Sequence, residues 1–304
     1  MPDQKALVRD GMRWFRDNHF DKALTCLQCA LAIEPSSNQT LQFLGIIEEQ
    51  VERCIETPSW LRRAIHCEPN NAAIIGNLGV SLLKRNAFGE AIFQLEKAIV
   101  LSIAAAEHYV HLGNGLFECD YLERAIRVYR RFFYLNGYRA DVLNRSGLIN
   151  ELLGLHDEAF AGYARAAVLK PEDGTVRFNI ALAQLLSGRY REGFRNMESR
   201  YSTKWRSTLT HELPSFLQLR KEDLSAHDVV LLQAEQGFGD TIQFCRYGAL
   251  VSGLGGKVVM LVPEPLVRLM SCQPWVSQAV KLGDAVPAYD VHCPMMSLPL
   301  AFGT

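Results

Sequence analysis

The feature that most constrains the fold of this chain is a recurring interval of 34 residues. A small residue stands at this interval six times, at Gly11, Gly45, Gly79, Gly113, Gly147 and Ala181. A second register, sixteen positions later, holds a large apolar residue each time, at Leu27, Leu61, Leu95, Tyr129, Tyr163 and Met197. Self-similarity at a fixed period predicts stacked copies of one supersecondary unit.

A period of 34 residues is the value for tetratricopeptide repeats, each of which is a pair of antiparallel helices. Two helices cross closely only where small residues let their backbones meet, and the large apolar residue fills the facing position. Pro35, Pro69 and Pro171 share one register and help to end the second helix, because proline cannot continue it. We therefore predict six repeats over residues 4–207, stacked into an α-helical superhelix.

A superhelix of this kind presents an extended concave surface, the usual site for an extended peptide or a partner protein. Four asparagines lie near first-helix positions that face inward and could bond a peptide backbone, namely Asn77, Asn114, Asn144 and Asn179. The alternative is that each is a solvated or helix-end asparagine. The repeats thus predict a protein or peptide partner.

Composition and charge restrict the other function classes. A formal net charge of -1 gives no electrostatic footprint for nucleic acid or for a membrane surface. The first residues are charged where a signal peptide needs an apolar core, and no apolar run has the length of a membrane span, so we expect a cytoplasmic protein.

The eight cysteines offer little chemistry. Cys26 and Cys29 form a CxxC pair, but no second pair of cysteines or histidines completes a zinc site, and we predict no metal. Because the pair falls in a helical run, we interpret both residues as small buried thiols.

A second kind of structure follows the repeats. Residues 208–227 are predicted to be a polar linker, and residues 228–304 alternate apolar runs with helix-like segments. Strands are expected at 229–233, 257–262, 278–282 and 289–292, with a short helix at 266–272. Alternating strands and helices imply a parallel sheet.

The stretch EQGFGDTIQF, residues 235–244, has the residues most suited to chemistry. It joins the first strand to a segment with apolar residues at helical spacing, at Ile242, Cys245, Ala249 and Leu254. Its glycines allow a ligand to approach the backbone, and the helix N-terminus favours an anionic or hydrogen-bonding group. The spacing is neither a dinucleotide fingerprint nor a P-loop. Asp240 is either a helix N-cap bonded to the Gln243 N–H or a catalytic carboxylate.

Three stretches together resemble a known family: YREGFRNMESRY at the end of the repeats, LLQAEQGFGDTIQFCRY, and YDVHCPMMSLPLAFGT near the C-terminus. They are similar to bacterial tetratricopeptide proteins that carry a glycosyltransferase-like domain of the heptosyltransferase type. The layout is more remotely similar to that of O-linked N-acetylglucosamine transferases. The resemblance implies a partial α/β, Rossmann-like domain over 228–304, the N-terminal acceptor half of a GT-B glycosyltransferase, whose other lobe binds a nucleotide sugar.

The resemblance also implies roles for residues. In enzymes of this type a Gly-Asp pair after the first strand belongs to the active site, and Gly239 and Asp240 match it. Asp240 is then the candidate base for an acceptor hydroxyl. The candidate substrate contacts are Glu235, Gln236, Gly237, Gly239, Thr241 and Gln243. His292 is a second candidate, with a structural histidine at a strand end as the alternative.

Residues 228–304 make about half of a doubly wound domain. We therefore expect no donor lobe and no bound cofactor here, a nucleotide sugar being the donor substrate of a completed enzyme. Two functions stay open. The first is a protein-interaction module fused to an incomplete, inactive glycosyltransferase-like lobe. The second is a glycosyltransferase whose donor lobe is missing from this chain or supplied in trans to act on an acceptor hydroxyl.

Overall fold

The computed structural model describes residues 3–50, 57–203 and 228–304, with the backbone alone at 48–50 and 57–59. The chain divides into two compact units, Met1–Leu153 and Gly154–Thr304. The division falls within the repeats, so that the second unit contains the last repeat helices together with the α/β part. The predicted linker lies outside the described residues.

The first unit is helical, and its successive helices pack against one another. The helices are α1 (Gln4–Arg16), α2 (Phe20–Ile33), α3 (Asn38–Gln50), α4 (Thr57–Cys67), α5 (Ala72–Lys84), α6 (Phe88–Leu101), α7 (Ala106–Glu118), α8 (Leu122–Asn136) and α9 (Ala140–Leu152). The helix pairs that the 34-residue period predicts are therefore present in this unit.

The close helix crossings lie where the sequence predicts them. A Cβ built on Gly11 would lie 2.9 Å from Leu27 Cγ, and one built on Gly79 would lie 2.6 Å from Leu95 Cγ. Non-bonded carbon atoms pack at about 3.5–4.0 Å, so neither position accommodates a larger residue without movement. Gly45 and Gly113 stand in the same relation to the large residues sixteen positions later. Each glycine thus faces the apolar residue that shares its repeat.

A third register determines how the first helix of a repeat ends. Residues at this register have positive φ, namely Asn18 (58°), Asn86 (59°), Asp120 (61°), Gly154 (75°) and Gly188 (76°). Asn, Asp and Gly are the residues that enter the left-handed region most readily. After α5, the N–H of Ala87 donates to Leu82 O and that of Asn86 to Leu83 O, which is a Schellman ending.

The second unit begins with helices and continues as a sheet with helical connections. Its elements are α10 (His156–Leu169), α11 (Gly174–Leu186), α12 (Tyr190–Met197), a 3-10 segment (Glu198–Ser202), β1 (Val229–Gln233), α13 (Phe238–Cys245), α14 (Tyr247–Gly253), β2 (Lys257–Val262), α15 (Glu264–Ser271), β3 (Val276–Lys281), β4 (Val291–Pro294), a 3-10 turn (Met295–Ser297) and α16 (Leu298–Ala301).

The four strands form one sheet in the order β3-β2-β1-β4, and all its pairings are parallel. The predicted bounds of β1 and β2 are confirmed. β3 begins two residues earlier than predicted and β4 begins and ends two residues later, because both are edge strands with weaker apolar patterns. The short helix α15 also begins two residues before its predicted start.

The two faces of the sheet have separate apolar cores. Val230, Leu232 and Met260 lie in one cluster with Phe194 and Met197 of α12. On the other face Leu231, Val259, Leu261 and Val280 form a smaller cluster. The last repeat helix therefore covers one face of the sheet.

The predicted apolar face of the segment after the loop is wrong. Ile242 is 48% exposed and Ala249 is exposed, whereas Phe244, Tyr247 and Val251 are buried. The buried Thr241, Phe244 and Gly248 each stand one residue before a predicted position, so the helical spacing holds and the buried face is shifted by one residue. In the residues that the structure describes, no helix combines the length and apolarity needed to cross a membrane.

Candidate functional site

The loop between β1 and α13 has the strand–glycine–helix form that the sequence predicts, but its helix begins earlier. α13 starts at Phe238 with Gly237 as its N-cap, and no side chain caps it. Asp240 therefore lies inside the first turn, and the N-cap interpretation of Asp240 is wrong. A carboxylate in the first turn is still favoured by the helix dipole.

The predicted substrate contacts divide into two groups, the first of which lies at an open edge. Gln236, Gly237, Gly239 and Gln243 are exposed, and Asp240 is half-buried. A Cβ built on Gly239 would have no neighbour within 4 Å, and one built on Gly237 would meet only Asp240 Oδ2, at 3.9 Å. Packing within the described residues does not require either glycine, so the space beside them is open to another molecule.

The other two predicted contacts point into the protein. The Thr241 side chain is buried and its hydroxyl donates to Gly237 O over 3.1 Å, which fixes the loop to the helix that follows it. The Glu235 side chain is 2% exposed and forms an ion pair with Arg200. Both residues thus hold the loop in place, whereas the exposed group faces solvent.

Arg200 binds Glu235 with two nitrogen atoms. Its Nε donates to Glu235 Oε1 over 3.1 Å and its Nη2 donates to Oε2 over 3.0 Å. The carboxylate also accepts from Tyr201 OH at 2.7 Å and from the Met296 N–H at 3.2 Å. Charge-assisted bonds of this bidentate kind have a fixed geometry as well as strength.

The Arg200 guanidinium also contacts Glu198 of its own 3-10 segment and Ser297 from the C-terminal stretch. Its Nη1 donates to Glu198 Oε1 over 2.8 Å, and its Nη2 donates to Ser297 Oγ over 2.7 Å. The Ser297 hydroxyl in turn donates to Glu198 at 2.9 Å. Glu198, Arg200, Tyr201, Glu235 and Ser297 are named here the Arg200 cluster.

The electrostatics of the Arg200 cluster keep its arginine charged. Burial acts to lower the pKa of Arg200, but the neighbouring Glu235, Tyr201 and Glu198 outweigh it, and the pKa is raised. Burial is also the main cause that raises the pKa of Tyr201. The phenol therefore stays protonated and able to donate its hydrogen bond to Glu235.

The Arg200 cluster joins the three stretches that carry the family resemblance. Arg200 comes from YREGFRNMESRY, Glu235 from the loop after β1, and Ser297 from the C-terminal stretch. The sequence interpretation missed Arg200 and Ser297 as partners of Glu235. Both residues lie in stretches that carry the family resemblance, which is the sequence feature that points to them. Charge type and spacing do not show which residues form pairs.

His292 lies on β4 beside β1. Its Nε2 is 2.9 Å from Gln233 Oε1, and its Nδ1 is buried without a hydrogen-bond partner among the described residues. Burial lowers the pKa of His292, with Glu235 opposing the change. The ring therefore stays neutral near pH 7, and its contact with β1 favours a structural role.

The four asparagines predicted for peptide binding lie on the first helices α5, α7, α9 and α11 and are half-buried. The Asn114 carbonyl accepts a 2.7 Å bond from Tyr129 OH, so this amide is partly used within its own repeat. Asn144 and Asn179 also have interactions within the protein. Within the part of the chain that the structure describes, the Asn77 amide makes no side-chain hydrogen bond, which leaves it available to a ligand.

The CxxC pair lies on α2, as the helical run predicts. Cys26 is half-buried and Cys29 is exposed, so the interpretation of both as buried thiols is wrong. The buried positions of this helix are Ala23, Leu27, Ala30 and Leu31. Burial raises the pKa of the Cys26 thiol, which disfavours the reactive thiolate.

Comparisons with solved structures show the fold of the helical part. PilF of Pseudomonas aeruginosa is 16% identical with a TM-score of 0.58, over 66% of this chain and 90% of that one. A tetratricopeptide repeat protein of Parabacteroides merdae is 14% identical with a TM-score of 0.58, over 66% and 79%. MamA of Desulfovibrio magneticus is 21% identical with a TM-score of 0.53, over 57% and 98%. The helical part therefore has a tetratricopeptide-like fold, which confirms the fold class that the 34-residue period predicts.

Sequence comparison adds a further similar protein. Human protein O-mannosyl-transferase TMTC1 is 24% identical over 186 residues, which are 60% of this chain and 21% of that protein. The chain thus spans about a fifth of that relative's length. No family model matches the chain.

Proposed function

We propose that this chain is a cytoplasmic protein-binding module whose tetratricopeptide-like first helices hold a peptide segment of a partner, with the α/β part as a docking piece. The observation that carries the proposal is the half-buried Asn77 amide on a repeat of confirmed fold. A partner peptide can satisfy such an amide with a backbone N–H and C=O together.

The packing of the first unit supports this use. The first helices α1, α3, α5 and α7 pack on one another in order, so they form a continuous wall. The contact between α5 and α7 is close, because the His108 ring occupies the space beside Gly76. A wall of rigid helices presents its polar side chains at fixed spacings, which lowers the entropy lost when a peptide binds.

A site-specific cross-link tests this proposal. A photoreactive amino acid replaces Asn77 in the full chain, and the adducts formed in host extract are identified by mass spectrometry. Phe93, which is 62% exposed on α6, is the control position. We expect a peptide adduct from position 77 that position 93 does not give.

The cross-linked segment is then synthesised and its affinity measured. Asn77→Ala should weaken binding about two- to tenfold, the worth of one hydrogen bond. Gln94→Ala, which removes an amide from α6, is the matched control and should leave affinity unchanged. Equal adducts from both positions, or an unchanged affinity of Asn77→Ala, would refute binding at the first-helix wall.

The open loop edge favours a second candidate function, that of the acceptor side of a glycosyltransferase. In this proposal residues 228–304 are the Rossmann-like N-terminal half of a GT-B enzyme, and the donor lobe comes from a further segment or another chain. The support is the resemblance of the loop, its unfilled space beside Gly239 and the similarity to a human mannosyltransferase.

In this proposal the loop residues would have three separate roles, namely proton acceptance, orientation of the acceptor and positioning of the loop. The Asp240 carboxylate would accept the proton of the acceptor hydroxyl as that oxygen attacks the sugar. The exposed Gln236 and Gln243 side chains would orient the acceptor beside Gly239. Glu235 would act as a positioning residue, because its carboxylate is held by Arg200 and not by the ligand.

Sugar transfer to acceptor peptides, measured by mass spectrometry with uridine- and guanosine-diphosphate sugars, tests this second candidate. The natural protein is purified from its host so that any donor-binding partner is retained. Asp240→Asn should lower the transfer rate by about a hundredfold or more. Asp284→Asn, an exposed control, should leave it unchanged. No transfer, or transfer unaffected by Asp240→Asn, would count against the assignment.

A further inference from the structure

A second surface of the first unit has the chemistry of a binding groove. It lies among α6, α7 and α8, and none of the four asparagines lines it. Its floor is apolar and buried, made of Tyr109, Leu112 and Leu116 of α7. Apolar residues also line its sides, with Ile99 half-buried and Val100 79% exposed on α6.

The α8 side of this groove is strongly basic. Arg124, Arg127 and Arg131 line it, and Glu96 of α6 is its acidic lining residue. Arg124 is paired with Glu96 at 2.8 Å. Among the described residues, Arg127 and Arg131 have no carboxylate within ion-pair distance, although Arg131 lies over the Tyr134 ring. The groove thus carries uncompensated positive charge in a chain whose net charge is -1.

The three arginines share one side of their helix. Positions three and four residues apart are neighbours on a helix surface, so Arg124, Arg127 and Arg131 form a row. Guanidinium groups match carboxylates in a bidentate geometry. The apolar side chains at the floor of the same groove offer a packing surface for an apolar part of the ligand, which a purely charged ligand lacks.

We propose that this groove binds an acidic peptide segment that also carries apolar side chains. Its carboxylates pair with Arg127 and Arg131, and an apolar side chain packs between Val100 and the floor. Charge complementarity selects the acidic partner, and the apolar floor favours a peptide over a nucleic acid. Asn77 does not line this groove, so this proposal stands or falls independently of the proposed function.

Fluorescence anisotropy of the full chain with a labelled synthetic peptide of Glu and Leu tests the groove. A peptide with Gln in place of every Glu is the ligand control. We expect saturable binding of the acidic peptide, weakened by added salt, and binding of the Gln peptide at least about tenfold weaker.

Three variants locate the site. Arg127→Glu should weaken binding about tenfold, because it places like charges in contact. Arg130→Glu is the matched control, since Arg130 is exposed on the same helix but does not line the groove. It should change affinity less than about twofold, whereas Val100→Ser should weaken it about threefold.

The proposal is overturned by any of three results. The first is no saturable binding of the acidic peptide. The second is an equal loss from Arg127→Glu and Arg130→Glu, which would mean a diffuse electrostatic effect. The third is unchanged affinity of Val100→Ser together with full competition by oligodeoxythymidylate, which would mean a general polyanion surface. Equal circular dichroism melts of the variants confirm that all are folded.

Discussion

The Arg200 cluster gives a sharp prediction about stability. Arg200→Met removes the cation that faces both Glu198 and Glu235 and leaves two carboxylates close together, the second of them with a side chain only 2% exposed. Breaking a buried ion pair by removing one partner costs about 3–5 kcal/mol. With an m value of about 2 kcal/mol/M, the urea midpoint of the second unit should fall by about 1.5–2.5 M.

A double-mutant cycle separates the energetic coupling between Arg200 and Glu235 from the stability lost in each single variant. Glu235→Gln keeps an acceptor for the Met296 N–H, and Arg200 keeps Glu198 at 2.8 Å, so this change should cost about 1–3 kcal/mol. In Arg200→Met/Glu235→Gln the uncompensated charge of Glu235 is gone. The double variant should therefore lose at least about 1 kcal/mol less than the sum of the single variants.

The assay must report on the second unit alone, because the chain has two compact units. Pulsed hydrogen exchange across a urea series, read by mass spectrometry on β1 and β4 peptides, does so. Lys281→Met is the control, since its ion pair with Glu264 is exposed and such pairs contribute little. A midpoint shift below about 0.5 M for Arg200→Met, or strictly additive losses, would refute the reasoning.

Three further predictions concern packing, pH and unit boundaries. Gly79→Ala should cost about 1–3 kcal/mol, because its Cβ would lie 2.6 Å from a leucine carbon, whereas Gly89→Ala, with open space around it, should be neutral or stabilising in the same urea series. Burial lowers the pKa of His108, so the unfolded state binds more protons, and the stability of the first unit should fall as pH drops from about 6.5 through the folded pKa. The His108→Gln variant should lack this part of the pH dependence, and an unchanged profile in the variant would contradict the assignment. Residues 154–304 should unfold cooperatively as an isolated fragment, whereas residues 228–304 should give a poorly dispersed NMR spectrum, since they lack Arg200 and the α12 cover; equal spectra would contradict this.

Much of the fold was predictable from the sequence because short-range rules govern it. The facing of Gly79 and Leu95 follows from a fixed period, and β1 and β2 are central strands whose apolar runs have clear ends. The register of positive-φ residues is also visible in the sequence, since Asn86 and Asp120 stand 34 residues apart.

The candidate site was less predictable because its geometry depends on long-range pairing. Glu235 is 35 residues from Arg200 and 62 from Ser297, and a single sequence does not show which charged groups meet. The buried face of α13 and α14 likewise depends on the packing of Phe244 and Tyr247 in one cluster with residues of the sheet. The sequence therefore predicts the strand, glycine loop and helix around Glu235, whereas the contacts of Glu235 are visible only in the structure.

The end of the repeats and the candidate loop belong to one physical unit. A parallel sheet needs cover on both faces, and α12 supplies it through Phe194, whose ring lies 6.2 Å from that of Phe244. The same helix packs on α11 and leads into the segment that carries Arg200. A ligand that shifts α12 would therefore act on Glu235 and the loop directly.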